Sequence, residues 1–212
     1  MMFQVSILDT GTSNIKSVVN AVKHLNFLPL IIKEEKEINN AELIILPGVG
    51  SFDKVMQSIK SKNLLHPLRD VVLKKHIPIL GICIGMQILF EKSDEGNENG
   101  LGLMCGNIKK LDYNVKSIHK VPNTGFKQVF FNSSNFLVPK NITEAPLYFN
   151  HSYGLLSEDF LLSHDVCKHN SEFVASFNHK NIFGMQFHPE KSQQIGLYML
   201  KQFIKIGLIK SK

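Results

Sequence analysis

No apolar run in this 212-residue chain approaches the ~18–20 residues that a membrane-spanning helix requires. The opening MMFQVSILDTG turns polar too soon for a secretory leader, so a cytoplasmic protein is expected. Cysteine is scarce and odd in number: Cys83, Cys105 and Cys167 form neither a disulfide framework nor a zinc knuckle. Reduced thiols and no metal site are expected, which leaves a catalytic cysteine open. Internal repeats and low-complexity tracts are missing too. With 43% hydrophobic and 20% charged residues, disordered, collagen-like and coiled-coil chains are excluded.

The 24 Lys and Arg against 18 Asp and Glu give a net charge of +6. The lysines are spread over many segments, without an arginine-rich stripe or a groove-reading motif, so no nucleic-acid partner is expected. An acidic partner surface, or plain solvation, accounts for the excess. At ~100–200 residues per domain, the length fits a single domain over residues 1–212.

In the first half, short apolar runs alternate with helical patterns. FQVSILD, LPLIIK, ELIILP and IPILGI read as strands. A helix capped by Thr12 or Ser13 is expected up to Leu25, and SFDKVMQSIKSKNLL, HPLRDVVLKKH and IGMQILFE read as further helices. The near-continuous apolar character of IPILGI fits a strand covered on both faces. After Leu103 the segments become short, β-branched and aromatic: NIKKLD, KQVFF, APLYFNHSY, EFVASFNH and NIFGMQF. The expected class is therefore α/β, a mostly parallel central sheet flanked by helices, with additional antiparallel strands from the second half. SQQIGLYMLKQFIKIG closes the chain as an amphipathic helix entered through Ser192.

Three motifs fall at strand ends. In Gly81-Ile82-Cys83-Ile84-Gly85, glycines two residues either side of a cysteine match the spacing of a nucleophile elbow, where the chain turns sharply from strand into helix. A helix start favours thiolate over thiol, and the Ile84 N–H is placed to stabilise an oxyanion. A buried structural cysteine fits the elbow equally well. In His188-Pro189-Glu190, the two side chains are expected on one side of an extended chain, with Glu190 orienting an imidazole that faces the nucleophile. Pro47-Gly48-Val49-Gly50 brackets a turn with glycines at the carboxyl edge of the sheet. It suits an oxyanion or amino-acid site; no Lys-Ser/Thr pair follows to make it a P-loop, and a plain turn is the alternative.

Together LPGVGSF, GICIGMQ and QFHPEKS resemble the class I glutamine amidotransferase family, over nearly the whole chain. The resemblance implies a flavodoxin-like fold and a Cys-His-Glu triad that removes ammonia from glutamine. Within the family, PGVG, GMQ, Gly100-Leu101-Gly102-Leu103, HPEKS and the opening ILDTGTSNIKSV are most similar to the glutaminase subunits of imidazole glycerol phosphate synthases. Anthranilate- and GMP-forming relatives usually carry histidine where Met86 stands. The resemblance makes Cys83 the nucleophile, His188 the proton carrier and Glu190 its orienting acid. It gives the oxyanion to Ile84 and the Val49-Gly50 turn, and the substrate glutamine to Gly50, Gln87, Glu95, Ser152 and Tyr153. It implies no cofactor and, as heterodimeric partner in histidine biosynthesis, a (β/α)8-barrel synthase (cyclase) subunit.

Two segments depart from the family pattern. Pro122-Asn123-Thr124-Gly125-Phe126-Lys127 stands where PHMGWN is usual, and Asn150 and Gly154 flank HSY. The resemblance puts these segments towards the partner, with Asn123, Phe126 and Lys127 at the interface. A synthase adapted to this surface is the first expectation. A paralogous glutaminase feeding sugar amidination in surface-polysaccharide synthesis, or an inactive binding subunit, are the alternatives.

Overall fold

The computed structural model describes residues 3–11, 15–48, 50–111, 122–169 and 171–210. Its first half runs β1 (Gln4–Leu8), α1 (Lys16–His24), β2 (Leu28–Ile32), α2 (Glu35–Asn39), β3 (Ile44–Gly48), α3 (Phe52–Ser61), α4 (Leu65–Leu73), β4 (Ile79–Cys83) and α5 (Ile84–Gln87). The second half adds β5 (Lys92–Ser93), β6 (Asn107–Lys110), β7 (Asn123–Phe130), β8 (Glu144–His151), β9 (Tyr153–Gly154), β10 (His164–His169), β11 (Ser171–His179), β12 (Ile182–Met185) and α6 (Gln193–Lys210).

Nine strands form one sheet in the order β2-β1-β3-β4-β12-β11-β10-β7-β8. From β2 to β12 all neighbours are parallel, and from β12 to β8 all are antiparallel. The α/β class holds, with the antiparallel strands extending the same sheet. Alternation along the parallel strands feeds two cores. Ile44, Leu46 and Ile79 pack with the buried faces of α2, α3 and α4. Ile45, Leu80 and Ile82 pack on the other side with Val18 and Val22 of α1 and with Met199, Leu200 and Phe203 of α6. No described helix is long and apolar enough to cross a membrane.

Two local expectations are corrected, and two elements carry no signal in the sequence. Helix α1 begins at Lys16, behind an Ile15 cap that makes no side-chain bond; Thr12 and Ser13 lie outside the described residues. The short α2 was not legible, because its capping box uses Glu34 with Glu37 in place of a hydroxyl residue. The helix expected over IGMQILFE stops after one turn at Gln87. Beyond it, the carbonyls of Ile88, Leu89 and Phe90 accept from the N–H groups of Leu101, Leu103 and Gly102. Those three side chains are all buried, so no solvent-facing side is left to make a helix amphipathic. Strand β10 was also missed. Its inward position is the carboxylate Asp165, buried and held by the Asn132 N–H, the Asn135 amide and the Ser176 hydroxyl, which breaks the apolar alternation.

Candidate active site

Parallel pairing aligns three strand ends. Gly48 of β3 lies beside Cys83 of β4, and Ile82 beside Met185 of β12. A cysteine ending β4 and a histidine three residues beyond β12 are thereby delivered to one rim, where open α/β sheets hold their ligands.

Cys83 adopts φ 55°, ψ −113°, a conformation that a side chain beyond glycine rarely takes and that surrounding packing must hold in place. Its glycine neighbours explain how. A Cβ on Gly85 would run into the carbonyl oxygen of Leu46, and one on Gly81 into the carbonyl of Gly85. The elbow is a close crossing of α5 over β3 and β4, and both glycines are needed for contact rather than for flexibility. Gly85→Ala is therefore expected to cost about 3 kcal/mol or more of stability, read as a lower urea midpoint, because backbone atoms have no rotamer with which to yield. Since α5 is a single turn, its dipole is small. The local electrostatics at Cys83 rest on N–H groups and neighbouring side chains.

Cys83 is buried, and its sulfur is held within the site. It lies 3.9 Å from the Asn150 carbonyl oxygen and 3.9 Å from Nε2 of Gln186. On one side His188 is close enough to Cys83 for the sulfur to help hold its proton. On the other, its Nδ1 lies 2.9 Å from Oε1 of Glu190. The imidazole and carboxylate meet across a 3-10 turn, Pro189–Lys191, rather than along an extended chain. Ser192 secures that turn: its hydroxyl donates to the His188 carbonyl and accepts the Tyr148 N–H, while the His188 N–H donates to the Tyr148 carbonyl. Burial alone would push the His188 imidazolium down. Hydrogen bonds and charge from Cys83 and Glu190 outweigh it, so the group is raised to about 10 and carries a proton at neutral pH.

In front of the sulfur lies a cavity of about 230 Å³, lined by Cys83, Ile84, Gly50, Gln87, Glu95, Ser152 and Tyr153, with Pro122, Asn150 and His151. All five residues expected to hold glutamine are among them. Val49 lies outside the described residues. Glu95 Oε2 accepts the Phe52 N–H at the start of α3, 2.8 Å away. Burial raises the Glu95 carboxyl above the ordinary range, the Phe52 N–H pulls it partly back, and Asp53 raises it again. His151 was not singled out from sequence. It is buried, with Nδ1 2.8 Å from the Tyr153 carbonyl oxygen and Nε2 3.0 Å from the Asn123 amide nitrogen.

The residues expected at a partner surface separate. Asn123 is fully buried against His151 and presents no side chain outward. Phe126 is 46% exposed and stands edge-on to Tyr148, over which Lys191 also lies. Lys127 follows Phe126 on β7 and so points to the opposite face. Expecting both on one surface overlooks the two-residue period of a strand.

The family model for glutamine amidotransferase class-I matches residues 6–206. The chain is 39% identical to the imidazole glycerol phosphate synthase subunit HisH of Leptospira borgpetersenii over 204 residues, covering 95% of this chain and 100% of the relative. It is 40% identical to that of Leptospira interrogans over 207 residues, with the same coverage. Among solved structures, PurLQS from Thermotoga maritima superposes with a TM-score of 0.73 at 19% identity, covering 100% of both chains. A glutamine amidotransferase from the same organism gives 0.60 at 17% identity, covering 100% of this chain and 86% of that one. At such identities the two structures speak to the fold alone.

Proposed function

Because this chain belongs to the class-I glutamine amidotransferase family, we propose that it is the glutaminase subunit of an imidazole glycerol phosphate synthase, acting in the cytoplasm on glutamine. Curated relatives of that name at 39% and 40% identity over nearly the full chain support the assignment. The observation that carries the chemistry is the convergence of Cys83 with a histidine–carboxylate pair behind it and a polar cavity in front.

In this mechanism the Cys83 sulfur attacks the side-chain amide carbon of glutamine, and the carbonyl electrons move onto oxygen. The N–H of Ile84, with Gly50 beside it on the cavity wall, holds that oxyanion. His188, already protonated, gives its proton to the departing nitrogen, so ammonia leaves and a γ-glutamyl thioester forms. Neutral His188 then takes a proton from water as it attacks the thioester, and glutamate departs with the thiolate restored. Glu190 holds the imidazole in one tautomer throughout. Ammonia passes to a (β/α)8-barrel cyclase subunit docked beside the Phe126–Tyr148–Lys191 surface.

Glu95 is suited to the α-ammonium of glutamine. Its raised carboxyl takes up a proton at a higher pH than an ordinary carboxylate, and binding needs it charged. The KM for glutamine is therefore expected to climb on acidification, beginning at a higher pH than an ordinary carboxylate would give. Glu95→Gln should flatten that climb at a KM roughly tenfold to a hundredfold higher, measured by steady-state glutaminase assays.

The function itself is tested by glutamine hydrolysis with and without the cyclase subunit, in the presence of its nucleotide ligand. Slow turnover alone and faster turnover in the complex is expected; full speed regardless of partner would count against a gated subunit. Complementation of a histidine auxotroph lacking its own glutaminase subunit decides the acceptor. Failure there, with activation by a sugar-amidating partner, would assign the chain to the paralogous role.

A further inference from the structure

Behind the cavity, two buried amides connect the sulfur to the glutamine pocket. Gln186 is fully buried one residue past β12, and Gln87 is fully buried at the end of α5. Nε2 of Gln87 lies 2.7 Å from the Tyr153 carbonyl oxygen and 3.1 Å from Oε1 of Gln186. Nε2 of Gln186 in turn lies 3.9 Å from the Cys83 sulfur.

The chain of bonds has only one sense. The Tyr153 carbonyl can only accept, so Gln87 must turn its NH2 towards it, and the second hydrogen then goes to Gln186. This sets Gln186 with its oxygen towards Gln87 and its NH2 towards the sulfur. Both donors of Gln87 are consumed. Its Oε1 is left buried with no hydrogen-bonding partner among the described residues, on a side chain that lines the cavity. A buried acceptor in that position asks for a donor from the ligand.

Resting on the glutaminase reading of Cys83, we propose that Gln186 is a positioning residue with two tasks. It donates a hydrogen bond to the Cys83 sulfur, favouring the thiolate. By occupying one donor of Gln87, it also fixes that side chain so that only an acceptor faces the N–H groups of the substrate glutamine. Neither task touches the substrate directly.

Two variants separate these tasks. Gln186→Glu keeps an oxygen for Gln87 but replaces the donor at sulfur with a carboxylate. Gln186→Met removes both. Alkylation of Cys83 by iodoacetamide, followed across pH and read on the Cys83 peptide so that exposed Cys105 does not interfere, reports the sulfur without any glutaminase assay. Its midpoint is expected to rise by about one pH unit or more in both variants. The KM for glutamine should rise roughly tenfold in Gln186→Met and stay near the original in Gln186→Glu, while kcat falls in both. Should Gln186→Met fail to fold, Gln186→Glu, one heavy atom different, carries the alkylation test alone.

An unchanged alkylation midpoint in the folded variants, with only thermal stability lowered, would reduce Gln186 to a packing residue and overturn the proposal. That outcome leaves the glutaminase reading standing. Retained glutamine hydrolysis in Cys83→Ala would overturn the reading itself, whatever Gln186 does.

Discussion

Replacing Cys83 by alanine is expected to lower glutamine hydrolysis by roughly 10⁴-fold or more, because removing the proposed nucleophile leaves only binding and oxyanion stabilisation. The cavity and its lining residues stay in place, since the substitution removes one sulfur from a site already buried. The cyclase subunit, supplied with ammonium at high pH, should therefore make product at its usual rate with the variant bound. Glutamine dependence is lost and ammonium dependence kept. Loss of both would mean that Cys83 holds the complex together instead of performing chemistry.

The second large effect concerns the histidine and its carboxylate. His188→Asn should cost roughly 10³–10⁵ in kcat, and Glu190→Gln less, roughly 10²–10⁴, since the imidazole still carries the proton when poorly oriented. The raised His188 also enters stability. Its folded value of about 10 exceeds the ordinary 6.5, so the folded state holds this proton more tightly than the unfolded chain. The resulting stabilisation is fully present below pH 6.5 and is lost as pH rises through about 10. Burial works against the proton, so the partners are what keep it. Glu190→Gln removes one of them and should move the alkaline loss to lower pH. Urea midpoints taken between pH 6 and 10 measure it, and superimposable pH profiles for the two proteins would contradict the pairing.

Elements whose signal is local were legible in the sequence. The elbow announces itself through Gly81 and Gly85, and the carboxylate of Glu190 through its place two residues from His188. Buried strands such as β3 and β4 stand out as unbroken apolar runs. Features that depend on distant chain segments were not. Gln186 meets Gln87 and Cys83 across separations of 99 and 103 residues, and a lone glutamine inside QFHPE carries no mark of those contacts. His151 sits next to Ser152 and Tyr153, which were picked out, yet only the folding of β8 against β4 turns it to the cavity. The one-turn length of α5 is set by loop 101–104 capturing three carbonyls, again a tertiary event that periodicity does not register. The family pattern puts Asn123 at the partner interface. Its burial follows from the pairing of Asn123 with His151 across β7 and β8.

The proposed mechanism requires the acyl group to pass through one sulfur, that of Cys83. Rapid acid quench of the complex during turnover of glutamine, followed by mass spectrometry of the peptides, tests this directly. A γ-glutamyl adduct confined to the Cys83 peptide, accumulating in Glu190→Gln and missing in Cys83→Ala, is the expected result. Turnover with the adduct on the Cys105 or Cys167 peptide, or sustained by Cys83→Ala, would contradict it.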